Sequence, residues 1–302
     1  MNRLGHISVI IPSYNSRQTI CECLESVLNQ SIKFPYEVIV VDSSIDGTDA
    51  FITRRYKSVK LIHINKKTLP GLARNIGAKA ARSEYIAFTD SDCVVAYDWL
   101  ENIMARVEKQ TYDAVGGIIF NGTPESLPGT LGYMNEFSFF LPGTKSGFTK
   151  ELATANVCYK SDLFNEYSFN ETHFAGEDTI FHWAILERGG KLFLDPGIKV
   201  THLNRKGFKN VLEHQRNIGE GAGIARMLMG KDLLLVQNPL LTLSVLPWLR
   251  LFRTYKRVFL CDKGLLKRVI LFFPLSLIVS YSWCFGLFFS TLNGMFSRKK
   301  TW

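Results

Sequence analysis

The feature that most constrains the fold of this chain is the alternation of apolar strands with helices between Ile7 and Asp92. Apolar runs predict strands, and apolar residues at helical spacing predict helices between them. The predicted strands are Ile7–Ile11, Glu37–Val41, Val59–Ile64 and Tyr85–Phe88. Strands joined by crossover helices pair in parallel, and helices then cover both faces of the sheet. The sequence therefore predicts an α/β fold with a mostly parallel twisted sheet flanked by helices.

Aspartates follow two of these predicted strands directly. Asp42 comes after the second strand, and Asp90 and Asp92 come after the fourth, with one residue between them. In an open α/β sheet, ligands bind outside the carboxyl ends of the strands. Carboxylates in that position suit Mg²⁺ or Mn²⁺, which takes its other ligands from water and substrate phosphates. The pattern indicates a metal–diphosphate site, with an ordinary Asp-x-Asp turn as the alternative.

The regular pattern ends after a further predicted helix, Trp99–Lys109, and strand, Ala114–Phe120. From Asn121 to Lys150, glycines and prolines are scattered among aromatic residues. A long irregular stretch in a compact domain is usually a functional loop or a lid. We expect this one to help select the molecules that the site binds. After it, a helix at Thr179–Arg188 and two short strands before residue 203 are predicted.

The carboxy-terminal part of the chain has the composition of a membrane-associated region. The chain carries a net charge of +9, and Arg250–Arg268 contributes seven basic residues against one acid. Val269–Leu292 is 24 residues without a charge, which is long enough to span a bilayer. Basic residues beside apolar segments favour an anionic membrane surface over nucleic acid, and no nucleic-acid-binding module is recognised.

We accordingly predict a catalytic domain over residues 1–230 and a membrane-associated region over residues 231–302. The second region would hold an interfacial or re-entrant helix at about 233–249 and a transmembrane helix at about 269–292. Both ends of the long apolar segment are basic, so the positive-inside rule does not fix its orientation. We expect the catalytic domain on the cytoplasmic side, because a strand follows closely on Met1 and no signal peptide is recognised. The six cysteines form no C-x-x-C pair and are expected to be reduced thiols.

Several short motifs, in order along the chain, resemble those of the family-2 glycosyltransferases of the GT-A fold. The resemblance covers about residues 5 to 205. It rests on Ile10–Asn15, Val40–Thr48, Gly71–Gly77, Asp90–Asp92, Gly176–Asp178 and Val200–His202. It implies an inverting transfer of a sugar from a nucleotide-diphosphate donor. The turn after Asp42 is one residue shorter than is usual in the family, which leaves the choice of nucleotide base open.

The resemblance also implies roles for individual residues. Asp92 and His202 would bind a divalent metal, Mn²⁺ or Mg²⁺, and Asp178 would be the catalytic base. The remaining matches would bind the nucleotide sugar: Pro12, Tyr14, Asn15, Asp42, Arg74, Asn75, Asp90 and Glu177. The expected partners are a nucleotide-diphosphate sugar, a lipid-linked or other glycan acceptor, and a membrane. The Q-x-x-R-W motif of processive synthases is absent from Glu213–Asn217, so transfer of a single sugar is favoured.

The chemistry independently requires groups of these kinds. A departing diphosphate gains negative charge, which a divalent cation stabilises as a Lewis acid. An attacking hydroxyl must lose its proton to a base within about 3 Å. An apolar wall raises the pKa of such a carboxylate, and Phe174, Ile180 and Phe181 are candidates to form one. Asp178 and Asp92 should therefore have separate roles, one on the acceptor and one on the metal.

Other readings of the same residues remain open at this stage. Asp178 would also serve as a first-turn acid of its helix, and His202 as a packed core histidine. A nucleotidyltransferase that makes the sugar nucleotide is a second enzymatic possibility, but Pro12–Arg17 lacks the glycine-rich phosphate loop it would need. A third possibility is a non-catalytic, membrane-bound protein that binds sugar nucleotides.

Overall fold

The computed structural model describes residues 7–108, 112–231, 238 and 241–298, with side chains described as far as Leu292. Within these residues the chain divides into two compact units. The first contains Met1–Phe120, Lys145–Thr172 and Phe181–Leu203. The second contains Asn121–Thr144, His173–Ile180 and Asn204–Trp302.

The first unit is built on a nine-stranded sheet. Its strands are β1 (Ile7–Ser13), β2 (Tyr36–Asp42), β3 (Lys60–His63), β4 (Tyr85–Phe88), β5 (Cys93–Val95), β6 (Ala114–Asn121), β7 (Gly147–Thr149), β8 (Val157–Lys160) and β9 (Leu192–His202). They lie in the order β3-β2-β1-β4-β8-β6-β9-β5, and β7 also pairs with β9.

The sheet is mixed, with a parallel part and an antiparallel part. β1 pairs in parallel with β2 and β4, and β2 pairs in parallel with β3, as the alternation with helices predicts. The later pairs β4–β8, β6–β8, β5–β9 and β7–β9 are antiparallel. The two short strands predicted before residue 203 form one continuous strand, Leu192–His202.

Helices occupy the connections in the first unit and most of the second. They are α1 (Ile20–Leu28), α2 (Thr48–Arg55), α3 (Pro70–Ala80), α4 (Trp99–Val107), α5 (Leu127–Phe137), α6 (Glu177–Glu187), α7 (Phe208–Met229), α8 (Leu246–Cys261), α9 (Lys263–Val269) and α10 (Phe273–Arg298). Short 3-10 turns cover Ser161–Asn165 and Ile270–Phe272, and a π-turn covers Leu241–Val245.

The prediction of an irregular stretch from Asn121 to Lys150 was wrong in part, because α5 lies within it. Ser126 caps this helix, with its side chain accepting a hydrogen bond of 3.1 Å from the Gly129 amide. A proline in the first turn is compatible with a helix, since its missing N–H would have no intrahelical partner there. The glycines and aromatic residues of this segment obscured the helical pattern.

The first unit has a dense core of aromatic side chains. Phe88, Tyr159, Phe169 and Phe181 are all at most 1% exposed. The rings of Phe169 and Phe181 stack with centroids 4.5 Å apart, and the ring of Phe88 meets that of Phe169 edge-on at 5.5 Å. This cluster holds β4, β8 and α6 together, and β4 is the strand that leads directly to Asp90 and Asp92.

In the second unit, the predicted apolar carboxy-terminal segment is helical. Lys263–Leu292 is long and apolar enough to cross a membrane by length and composition, and 39% of its most apolar 18 residues are buried within the protein. Of the interfacial helix predicted at about 233–249, residues 233–237, 239 and 240 lie outside the described residues. Its described part, from Leu241 onward, is helical.

Candidate active site

Asp92 and His202 are neighbours at the edge of the sheet, although 110 positions separate them in the sequence. They meet because β5 and β9 are antiparallel, with Cys93 opposite His202, and because the Leu203 amide donates to the Asp92 carbonyl at 2.8 Å. His202 Nε2 lies 3.5 Å from Asp92 Oδ1. The imidazole is buried and the carboxylate is partly exposed, so an ion bound here would be open to substrate on one side.

The ligand atoms of this pair fit a divalent cation. Those of Asp92, Cys93 and His202 all lie within 4.8 Å of one another. Burial and the neighbouring Asp92 carboxylate raise the pKa of the Cys93 thiol, which therefore stays protonated and is a poor metal ligand. One carboxylate and one imidazole remain. Such an incomplete set leaves coordination positions for water and for substrate phosphates.

Asp90, two residues before Asp92, has a different partner. Its Oδ1 accepts a hydrogen bond of 2.8 Å from Arg74 Nη2. Arg74 lies on α3, is 4% exposed, and its guanidinium is 6.0 Å from the centre of the Phe169 ring. The arginine is thus fixed by packing as well as by charge. The two aspartates of the Asp-x-Asp motif consequently differ in environment, since one faces an arginine and the other a histidine.

Asp42 is completely buried at the end of β2 and is the centre of a hydrogen-bond network. It accepts hydrogen bonds from the Ser44 amide at 3.1 Å and the Ser44 hydroxyl at 2.6 Å, and its Oδ2 lies 2.9 Å from His63 Nδ1. The Ser44 hydroxyl in turn accepts from the Asn15 amide at 2.7 Å. Asn15 Oδ1 accepts from the Ile45 amide at 3.0 Å, and Asn15 has a φ of 53°. The loops after β1 and β2 are therefore tied to each other.

Three further residues predicted to bind the nucleotide sugar, Pro12, Tyr14 and Asn75, lie in the first unit. Pro12 is part of β1, and Tyr14 is exposed just beyond it, with the Lys67 ammonium 4.7 Å from the ring centre. Asn75 is engaged within the protein. Its side-chain amide donates to the Phe169 carbonyl at 2.9 Å and to Glu171 at 2.8 Å, and its oxygen accepts from the Phe169 amide. Asn75 thus anchors the loop at residues 169–171.

Glu177 and Asp178 begin α6. Glu177 is buried, whereas Asp178 is partly exposed and its Oδ1 accepts a hydrogen bond of 2.7 Å from the Thr179 amide. Gly176 before them has a φ of 85°, which favours glycine. A Cβ on Gly176 would also lie 2.6 Å from the Gly221 carbonyl oxygen of α7. The glycine of this motif is therefore required by backbone conformation and by close packing.

The residues predicted to form an apolar wall beside Asp178 differ in their surroundings. Phe181 belongs to the buried aromatic core, where it stacks on Phe169, whereas Phe174 is 41% exposed. The sequence patterns also did not connect His63 with Asp42. His63 lies directly opposite Asp42 in the β2–β3 register, so strand pairing was the signal that would have connected the two residues.

Comparison with known proteins identifies the chain. The family model described as glycosyl transferase family 2 matches residues 8–190, which is more than half of the chain. The chain belongs to glycosyl transferase family 2. This family 2 chain is therefore a glycosyltransferase, and the nucleotidyltransferase alternative is set aside.

Relatives of this family 2 enzyme include one bacterial and one archaeal glycosyltransferase. Glycosyltransferase GlyG of Streptococcus pneumoniae serotype 4 is 28% identical over 181 residues, which are 56% of this chain and 60% of GlyG. Glycosyltransferase AglE of Haloferax volcanii is 27% identical over 232 residues, covering 72% of this chain and 73% of AglE.

A solved structure supports the fold. The mannosyltransferase PcManGT from Pyrobaculum calidifontis, in complex with GDP-Man and Mn²⁺, aligns with a TM-score of 0.64 and 18% identity. The alignment covers 95% of this chain and 87% of PcManGT. The predicted GT-A fold, a twisted α/β sheet with flanking helices and one long apolar carboxy-terminal helix, is confirmed.

Proposed function

We propose that this glycosyltransferase transfers a single sugar, with inversion, from a nucleotide-diphosphate sugar to a hydroxyl group of a lipid-linked or cell-surface glycan, and that it requires a divalent cation. The observation that carries the proposal is the pairing of Asp92 with His202 at 3.5 Å. Asp90, two residues before Asp92, is paired with Arg74. Together these groups provide a place for a cation and a fixed positive charge within a few residues of the same strand end.

In this proposal Asp92 and His202 hold Mn²⁺ or Mg²⁺. The cation, when bound, would supply Lewis-acid stabilisation of the departing diphosphate. The presence of Mn²⁺ with GDP-Man in PcManGT supports this choice of cofactor. Arg74 orients Asp90 toward the ribose or the diphosphate, and its buried position keeps the guanidinium fixed throughout the reaction.

The nucleotide would lie along the loops after β1 and β2. Pro12, Tyr14 and Asn15 would contact the base, with Tyr14 offering an exposed ring. Because Asp42 is buried and holds Ser44 and His63, we assign it the positioning of these loops around the base. Asn75 would act in the same way on the loop at residues 169–171. This division explains why buried and exposed residues occur together in one proposed binding site.

Asp178 would be the catalytic base. The acceptor hydroxyl loses its proton to the Asp178 carboxylate as the oxygen attacks the anomeric carbon, and the bond from that carbon to the diphosphate oxygen breaks. Attack from the face opposite the leaving group inverts the configuration. Glu177, which is buried beside Asp178 at the start of α6, would contribute to binding the donor.

The acceptor and the location of the enzyme are part of the same proposal. The long apolar stretch Lys263–Leu292 and its basic neighbours support attachment to a membrane. An enzyme that uses soluble nucleotide sugars would then act at the cytoplasmic surface on a lipid-linked or cell-envelope glycan. Polysaccharide biosynthesis in the cell envelope is the process that we assign to it.

The test separates donor binding from turnover. Calorimetry with a panel of nucleotide sugars, with and without Mn²⁺, should find a donor whose binding depends on the cation. Asp178→Asn should bind that donor within about threefold of wild type and lose at least 100-fold in transfer rate, because removal of a general base typically costs 10²–10⁴-fold. Glu166→Gln is the matched control, since Glu166 forms an exposed ion pair with Arg188.

Two results would contradict the proposal. Equal turnover in wild type and Asp178→Asn would exclude Asp178 as the base. Failure of every donor in a broad panel to bind in the presence of Mn²⁺ would exclude a metal-dependent nucleotide-sugar site.

A further inference from the structure

In the second unit, α7 and α10 lie in parallel with their backbones in contact. The Ser282 hydroxyl donates to the Leu212 carbonyl at 2.7 Å. Farther along both helices, a Cβ on Gly286 would lie 1.9 Å from the Arg216 carbonyl oxygen, and one on Gly223 would lie 2.1 Å from Ser290 Oγ. Small residues at four-residue spacing permit such close approach of two helices. The apolar helix α10 is therefore packed closely against α7 from Ser282 to Ser290.

A solvent-exposed face of α7 beside this contact is charged. Glu213, Arg216 and Glu220 are exposed and lie at helical spacing on that face. Arg216 and Glu220 are level with Gly286, which is well inside the uncharged stretch Val269–Leu292. If α10 crossed a bilayer, α7 would carry these charges into the hydrocarbon, where ionised side chains are strongly disfavoured. The packing of α7 thus opposes the crossing that hydrophobicity alone predicts.

The free face of α10 is apolar and is joined to the free face of α8. Ile278, Phe285 and Phe289 are exposed on α10, and Trp248 and Phe252 are exposed on α8. The Trp248 ring lies 6.4 Å from the exposed ring of Phe273. The two helices are held together by hydrogen bonds of 2.9 Å, one between the Tyr255 and Ser276 hydroxyls and one from Ser280 to the Pro247 carbonyl.

Exposed basic residues border this apolar face. They are Arg253, Lys256, Lys263, Lys267 and Arg268. The turn that follows Arg268 exposes further apolar residues, and Leu271 is 82% exposed. Lysine and arginine beside exposed aromatic and aliphatic side chains complement anionic headgroups above an acyl layer. A basic border of this kind favours a lipid surface over a second copy of the chain, whose own border would repel it.

We infer that α8, α9 and α10 form a docking surface that lies in the plane of an anionic bilayer. The aromatic face enters the boundary between headgroups and acyl chains, the basic border contacts the headgroups, and the charged face of α7 stays in water. This inference refines the proposed membrane attachment, and it replaces a crossing at about 269–292 with a helix that stays on one side.

The orientation of α10 can be measured with spin labels on the full chain bound to vesicles containing 30% phosphatidylglycerol. Labels are attached at Ile278→Cys, Phe285→Cys or Phe289→Cys in a background in which the partly exposed Cys21 and Cys261 are serines. Ile278 and Phe289 are 11 residues apart. At about 1.5 Å per residue, a crossing helix would separate their depths by roughly 16 Å. A helix in the membrane plane should place all three labels at one shallow depth, within about 5 Å.

A label at Glu220→Cys is the matched control and should remain in water. Labels that deepen steadily from 278 to 289 would overturn the inference in favour of a crossing. Labels that contact another copy of the protein and no lipid would also overturn it, in favour of a dimer. Neither the depth of a label nor its contact with another copy requires a nucleotide sugar or sugar transfer. A failure of the membrane inference can therefore be told apart from a failure of the proposed function.

The basic border has its own test. Replacing Lys263, Lys267 and Arg268 together by glutamine should weaken partitioning onto these vesicles about 100-fold at low salt, since each basic residue near the surface contributes about fivefold. Partitioning onto neutral vesicles should change little. Equal binding of the variant and wild type to the anionic vesicles would contradict the role of headgroup charge.

Discussion

His182 should make the stability of the first unit depend on pH. The side chain is completely buried on α6, and its Nε2 lies 2.6 Å from the Tyr159 hydroxyl. Within the described part of the chain, its Nδ1 has no hydrogen-bond partner. A protonated imidazole would carry a second N–H into the core without an acceptor. Burial accordingly lowers the pKa of His182 from 6.5 to about 3.

The sign and size of the effect follow from linkage. Between these two pKa values the unfolded chain binds a proton at this position and the folded chain does not. The contribution of His182 to stability is therefore fully present above pH 6.5 and is lost as the pH falls toward 3. With those pKa values, lowering the pH from 7.5 to 5.0 should reduce the free energy of unfolding by about 2 kcal/mol through this residue alone.

Urea unfolding of wild type and His182→Gln at these two pH values, with a chelator present, measures the effect. Other titrating groups contribute to both proteins, so the difference between the two losses isolates His182 and should be about 2 kcal/mol. An NMR titration of wild type provides a second readout, in which the His182 ring signals should not shift between pH 8 and 5. Equal pH dependence in both proteins, or a His182 signal that titrates near pH 6.5, would refute the reasoning.

Two further predictions follow from the packing of individual residues. Arg74→Lys should raise the KM for the donor about tenfold, because lysine cannot reproduce the planar guanidinium held by Asp90 and Phe169. Steady-state kinetics measures this rise, with a lysine variant of the exposed Arg55 as the control. An equal rise in KM in the Arg55 variant would contradict the prediction. Gly286→Val should lower the free energy of unfolding of the second unit by about 3 kcal/mol or more, since its Cβ would meet the Arg216 carbonyl at 1.9 Å. In urea unfolding, Gly147→Ala should cost much less, because nothing lies within 4 Å of the added Cβ, and comparable losses would contradict the packing argument.

Pattern and resemblance predicted the parts of the fold that depend on local sequence. The parallel strands β1 to β4 follow from apolar runs separated by helices, and Asp90 and Asp92 were placed correctly at a strand end. The antiparallel half was not predicted, because its strands pair with strands that are distant in the sequence, and the spacing of apolar residues does not reveal such pairs. The helix Leu127–Phe137 was missed because its glycines and proline conceal the helical pattern.

The candidate site shows the same limit of local patterns. The juxtaposition of Asp92 with His202 depends on the β5–β9 pairing, and only the family resemblance suggested it. The partnership of Asp42 with His63 depends on strand register and was missed. In the second unit, composition predicted a membrane-crossing helix at about 269–292. Whether that helix is free to cross depends on what packs against it, and the charged helix α7 is visible as its partner only in the structure.

The most direct test of the central claim is the affinity for Mn²⁺ in the presence of UDP or GDP, measured by the EPR signal of the free ion. Wild type should bind Mn²⁺ together with one of these nucleotides. Asp92→Asn and His202→Gln should each weaken that binding at least tenfold, and combining them should weaken it less than the product of the single effects, because the two side chains hold one ion. Binding as tight as that of wild type in either folded variant would contradict the claim that Asp92 and His202 form the metal site.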